Sequence, residues 1–172
     1  MSTLTVQTLQ APTSGANANT ILVPSGQTVH AAGSVVQVLS TNLGADHSYS
    51  SSSTAETNIL TLNITPKFNT SKVLVLCNLG LYLNSSAAVS RGDLGMRRDS
   101  TLVRGRDDAG GEGFFRDGSG HFKSYMTVFN FLDSPSTTST ITYKAFHRGN
   151  DYTAGGHFSQ HYTNMSLMEI AQ

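Results

Sequence analysis

Cysteine is almost absent from this 172-residue chain, and its single copy, Cys77, excludes an intramolecular disulfide and any cysteine-based zinc cluster. It lies in the apolar run from Val73 to Leu83, where it reads as a small buried apolar residue. Charge is scarce as well. Only 13% of residues are charged, and 11 Lys and Arg balance 11 Asp and Glu, so no basic field exists to hold nucleic acid or an anionic membrane surface. Solubility then falls to Ser, Thr, Asn and Gly. The longest apolar run, Val73 to Leu83, is interrupted by Asn78 and Gly80 and is far shorter than the roughly 20 residues of a membrane helix, so no membrane insertion is expected. The N-terminus lacks the charged and apolar regions of a secretory signal, which predicts synthesis in the cytoplasm. Helix signals are missing too: no stretch sets apolar residues at helical spacing between a cap and a stop, although Leu81 to Val89 has room for one turn.

What is present is strand pattern. The stretch His121 to His147 reads as two long strands joined by a polar turn at Ser134-Pro135-Ser136-Thr137, that is, as a hairpin. In its first run Met126, Val128 and Leu132 fall on one face and Tyr125, Thr127, Phe129 and Phe131 on the other, because side chains alternate along a strand. Both faces are apolar, so both must be covered, by a sandwich, by a partner subunit, or by one of each. The same holds for Lys72 to Leu83, which reads as a central strand. Val73, Val75, Leu79, Leu81, Tyr125, Phe129 and Phe131 are therefore the candidates for the core or a subunit interface.

Elsewhere, residues 1–33 are rich in Thr, Ala, Asn and Ser and hold few large side chains, which predicts an extended anchoring arm with one small hairpin about Pro24-Ser25-Gly26. Residues 34–172 form the domain proper, long enough that folding hides about 70% of the unfolded surface. Its first strand runs through Val35 to Leu39, a long polar loop covers Thr41 to Glu56, and Thr57 to Ile64 follows as a strand closed by Pro66. Asp93 to Asp99 and Ser100 to Arg104 read as a hairpin, Gly105 to Gly120 as a glycine-rich loop, and Arg148 to Gly156 as another. Ser166 to Ile170 is a last strand which, so near a chain end, is expected in the middle of a sheet. About eight short-spaced strands without helices predict an all-β, antiparallel, jelly-roll-like β-sandwich preceded by the arm.

Chemistry-bearing motifs are weak. Asp107, Asp108, Glu112 and Asp117 share one loop, and paired carboxylates can cleave glycosides, but glycine-rich surroundings do not hold an acid and a base rigidly. Nor does their spacing fit an EF-hand. His157 and His161 are four apart, a metal-ligand spacing on a helix, yet Gly155-Gly156 precedes them and no helix is evident; a trimer gathering one histidine about its axis is the other route to a metal. Arg91-Gly92-Asp93 matches an adhesion tripeptide and reads more simply as a turn into a strand. Phe114, Phe115, Tyr152, Phe158 and Tyr162 lie in or beside loops, where they either stack on sugars or a partner surface or plug the end of the sandwich. No Ser-His-Asp arrangement, phosphate loop or dinucleotide fingerprint is present, so neither catalysis nor a cofactor is expected.

In order along the chain, ILVPSGQTVHAAGSVVQVLS (21–40), ITPKFNTSKVLVL (64–76), MRRDSTLV (96–103), FLDSPSTTSTITYKAF (131–146) and SLMEI (166–170) resemble a domain of structural proteins of tailed bacteriophages, particularly those of marine bacteria and cyanobacteria. The resemblance spans roughly residues 20–172. It implies a trimeric jelly roll of the tumour-necrosis-factor or complement-head type at the end of a tail fibre or appendage, with no catalytic residues carried over. On that expectation residues 1–33 dock to other virion proteins, and residues 34–172 form a homotrimeric head whose loops meet a host-surface glycan or protein. The virion, assembled in the host cytoplasm, is then its location. A capsid decoration or cement protein is the second expectation, and an enzyme cutting surface polysaccharide with its acidic loop is the third.

Overall fold

The computed structural model describes residues 13–16, 31–50, 55–84, 90–105, 115–117, 123–149, 155–158 and 161–172. The chain divides into two units, Met1–His30 and Ala31–Gln172, and the fold below is that of the second. Among the described residues there is no helix. The described residues form eleven strands: β1 (Val35–Asn42), β2 (His47–Ser50), β3 (Thr57–Ile64), β4 (Lys72–Asn84), β5 (Ser90–Arg98), β6 (Thr101–Arg104), β7 (Phe115–Asp117), β8 (Lys123–Asp133), β9 (Ile141–Gly149), β10 (Gly155–Phe158) and β11 (Asn164–Ile170).

These strands form two antiparallel sheets. In the first, β4 is central: β8 pairs along its whole length on one side, while β11 and β10 share the other side end to end. β1 then pairs with β11, and β2 with β10. The two outer lines thus break at the same level, and the break is tied by Leu43 N–H donating to Thr163 O at 3.0 Å and Gly80 N–H to Thr163 Oγ1 at 3.1 Å. The second sheet runs β3-β9-β5, with β6 and β7 along the far edge of β5. Successive long strands wrap from sheet to sheet, which is the all-β jelly-roll sandwich expected, and β11 does lie inside its sheet, between β1 and β4.

The hairpin expected between residues 121 and 147 does not form. β8 pairs with β4 in the first sheet, whereas β9 pairs with β3 and β5 in the second. The physical reason is the connection: residues 134–140, with Ser136 at φ 53°, are too long for a two-residue hairpin turn and reach from one sheet to the other. Three shorter strands also occupy stretches read as loops or transitions, β2 within 41–56, β7 within 105–120 and β10 after Gly155. Each is three or four residues long, below the span at which alternation is legible. The β5–β6 hairpin does form, turning at Asp99 (φ 52°), a residue type that tolerates the left-handed region.

Between the sheets lies one core. Val73, Val75, Cys77, Leu79 and Leu81 of β4, Phe129 and Phe131 of β8, and Met165 and Leu167 of β11 meet Leu60, Ile64, Leu94, Met96, Ile141, Tyr143 and Ala145 from the second sheet. Burial pushes the Cys77 thiol up to about 12, so it stays protonated and unreactive. On the open flank, the Arg104 guanidinium of β6 lies 4.4 Å from the centroid of the Phe131 ring and caps the core there.

Candidate functional site

The two ends of the sandwich are built differently. At the end where β1 begins, the connections 65–71, 99–100 and 134–140 are short and tied by carboxylates. Glu169 of β11 is fully buried and accepts from Lys67 N–H (2.7 Å), Phe68 N–H (3.2 Å) and the Gln37 side-chain amide (2.6 Å). Asp133 of β8 accepts from Arg98 Nη1 and from Tyr143 Oη, both at 2.7 Å, which joins the first sheet to the second. Burial, then the bond to Asp133, raises the Tyr143 pKa, so the phenol keeps its proton and remains a donor. At the opposite end β4 leaves toward β5, β9 toward β10 and β2 toward β3, through residues 85–89, 150–154 and 51–56. Here the second sheet carries Asp93 and Arg148, 2% and 7% exposed and 3.7 Å apart, with Glu56 reaching Arg148 at 3.9 Å and holding Arg97 at 2.7 Å.

The two outer faces differ as well. In β4, Leu74 and Leu76 alternate with the core residues and so point away from the core; their register partners are Leu132 and Asn130 of β8 on one side, and Met168 and Ser166 of β11 on the other. Val38 of β1 faces Met168, and Val35 faces Ile170. Val35, Val38, Met126, Val128 and Leu132 are 47–60% exposed. Toward the loop-bearing end Tyr162, also exposed, packs over Gly80, where any Cβ would meet the tyrosine's own Cβ, so this position requires glycine. An antiparallel sheet that faces water is ordinarily polar on its outer side. This one carries an apolar row across four strands, Val38, Met168, Leu74 and Leu132, with Val35, Ile170, Leu76, Val128 and Met126 around it, while Ser40, Ser166 and Asn130 and then Asn42, Asn164 and Asn78 are the polar members of the next two rows.

The sequence-derived candidates separate cleanly on this frame. Val73, Val75, Leu79, Leu81, Phe129 and Phe131 all lie in the core of the single chain, with Phe129 6% and Phe131 7% exposed. Their side chains are covered within the single chain, and the exposed aliphatic residues are their neighbours on the other face. Tyr125 sits opposite Leu81 in the register, and its side chain lies outside the described residues. Phe114 and Tyr152 lie outside them altogether, as do Asp107, Asp108 and Glu112; Phe115 and Asp117 are in β7 opposite Gly92 and Ser90, and Phe158 is in β10 opposite His47 and Leu81. Tyr162 alone of the five aromatics is placed, exposed, on the apolar face. His157 is on β10 opposite Ser48 and His161 is in an exposed turn, so the helical spacing that suggested a metal is not realised, and no group of three possible ligands occurs among the described residues. Asp93 of the Arg-Gly-Asp tripeptide is buried in β5, where no receptor can read it. Missed were Glu169, Asp133 and His147. Glu169 was legible in principle, because it shares strand parity with Met165 and Leu167 and so had to point inward.

Together these features define a jelly-roll sandwich with one bare apolar face. No protein-family model matches the chain, and no curated protein matches it. Among solved structures it is similar to a protein of infectious bursal disease virus, Gt strain (TM-score 0.52, 14% identity, covering 88% of this chain and 37% of that one). It is also similar to the VP2 subviral particle of the same virus (TM-score 0.50, 13% identity, 93% of this chain and 40% of that one). The chain thus spans about two fifths of the length of those proteins, and at such identities the likeness is one of fold.

Proposed function

We propose that this chain is a virion structural protein, a tail-fibre or appendage subunit of a tailed bacteriophage of marine bacteria or cyanobacteria, working as a homotrimer. The observation that carries the reading is the apolar outer face of the first sheet. Four strand lines about 4.8 Å apart and some seven residues long span about 450 Å² of flat sheet, against the roughly 800 Å² each partner contributes to a standard interface. Each subunit of a trimer meets two neighbours, and the sheet edges supply the remaining area. Among the described residues of these four strands Lys72 is the one charged residue on this face, which suits a second copy of itself. With β1 entering at the carboxylate-tied end, residues 1–33 dock to other virion proteins, and the opposite end, which carries the connections 51–56, 85–89 and 150–154, meets a host-surface glycan or protein. The role is non-catalytic.

The mass of the full chain in solution tests this. A trimer is expected, and Val128→Glu with Leu132→Glu should convert it to a folded monomer, since both side chains are about half exposed within one chain. A wild-type monomer, or a trimer unmoved by both substitutions, removes the reading. The likeness in fold to viral particle proteins favours a second reading, a capsid decoration protein. Copy number separates the two: a few dozen per particle for a tail appendage, hundreds for the capsid surface.

A further inference from the structure

At the loop-bearing end, two imidazoles meet across the sandwich. His47 of β2 stands in the register row with Phe158 and Leu81 of the first sheet, and Leu81 is a core residue. His147 of β9 stands in the row with Thr57 and Leu94 of the second, and Leu94 is fully buried. The ring centroids are 5.6 Å apart with the planes tilted by 60°, and His147 is only 4% exposed. The other buried polar groups of this interior, the Glu169 carboxylate and the Tyr143 phenol, lie toward the end where β1 begins, and the two imidazoles are the titratable rings that meet toward the loop-bearing end.

We propose that the His47–His147 pair is an acid-sensitive latch: protonation separates the two sheets at the loop-bearing end while the end where β1 begins stays closed. A charge on His147 must sit in a water-poor site against the ring of His47, and the nearest relief is to open that end to solvent. Among the described residues the surrounding groups are these. From β4 the inner face supplies Leu79 and Leu81, and from β5 it supplies Leu94. Asp93 and Arg148 lie on the opposite face of the second sheet, held to each other, and Glu56 is engaged with Arg97 and Arg148. Asp46 precedes His47 in the exposed turn before β2.

The sign follows from linkage. Burial, then the neighbouring His47, lowers the His147 pKa from 6.5 to about 4. Between those values the opened form binds a proton that the closed form does not, so opening becomes easier as pH falls below 6.5 and the gain levels off near 4. For one such group the opened population rises about 20-fold between pH 7 and pH 5. The tied end holds no histidine among its described residues, so the same interval leaves it unchanged.

Amide hydrogen exchange on the full chain at pH 7 and pH 5, corrected for intrinsic exchange, reads this directly. Protection should fall about 20-fold in 47–50, 57–60 and 145–149 and stay level in 64–76, 133–141 and 166–170. His147→Phe should abolish the difference. His47→Phe, at a half-buried position, should reduce it, and it decides the matter if the first variant does not fold. A pH response spread evenly over both ends, or one undiminished in the folded variants, overturns the latch. The latch stands or falls independently of the virion reading, because none of these measurements involves assembly.

Discussion

The exposed positions on the outer face of the second sheet are polar, Asn58, Thr61 and Asn63 with Thr142, Lys144 and Arg97 beside them, while the outer face of the first mixes Val35, Val38, Leu74, Leu76, Met126, Val128 and Leu132 with the polar Ser40, Asn78, Asn130 and Ser166. Both sheets have the same strand geometry and share one core, so the difference cannot come from folding the single chain. The second sheet keeps apolar residues inside and polar ones outside with one exception, Phe146, which is buried on the outer side against Gly95 and beneath the Arg97 guanidinium. The first breaks that division on one side only. Large exposed aliphatic side chains add nothing to the stability of an isolated sandwich and promote association. The asymmetry is what the proposed subunit contact rests on: one outer face has the polarity expected of a surface in water, and the other has a large apolar share.

The sharpest way to break this comparison is to mutate two adjacent residues of β8. Phe131→Ala empties a packed core position and removes the ring beneath Arg104, and it should cost about 3–5 kcal/mol in urea unfolding. Leu132→Ala, one residue away on the other face, should leave subunit unfolding within about 1 kcal/mol and instead lower the assembled mass at a given concentration. Equal effects of the two on subunit stability would mean the outer face is not bare. Next in size is the contrast between the ends. Unfolding stability should be flat above pH 6.5 and should fall by about 3 kcal/mol as pH drops toward 4, because the unfolded His147 takes up a proton the folded one refuses. His147→Phe should flatten that slope. At the other end, Glu169→Ala strands two backbone N–H groups and the Gln37 amide, at a cost of about 2–3 kcal/mol, with little change in the pH slope between 7 and 5. The smallest effect belongs to the second sheet's outer face: Asn63→Lys should change stability by less than about 0.5 kcal/mol and leave the mass unaltered.

Much of the strand inventory was legible because alternation survives wherever a strand exceeds about five residues, as in β3, β4, β8 and β11. Of the strands of three or four residues β6 was read, because it follows β5 across a tight turn, whereas β2, β7 and β10 were not, since they are defined by pairing with β10, β5 and β4 rather than by their own pattern. Pairing itself was the harder matter. The polar interruption at Ser134 to Thr137 looks the same whether the chain turns back within one sheet or crosses to the other, and only the whole 134–140 connection, seated against both sheets, decides. Phe129 and Phe131 show the same limit. Their apolar parity was plain, yet which of the two apolar faces of β8 met the core depended on where β4 lay.

What the amino-acid sequence determined by itself was the class of the molecule: an all-β chain with no disulfide, almost no charge and two strands apolar on both sides. Those follow from composition and period-two patterning, which are local. Which face each strand turns inward, which residues staple the ends, and that two histidines 100 positions apart meet across the core were decided only by the tertiary structure. The physical reason is that strand pairing and sheet stacking join residues distant in the chain, so burial is a property of the assembled sandwich and not of any stretch within it.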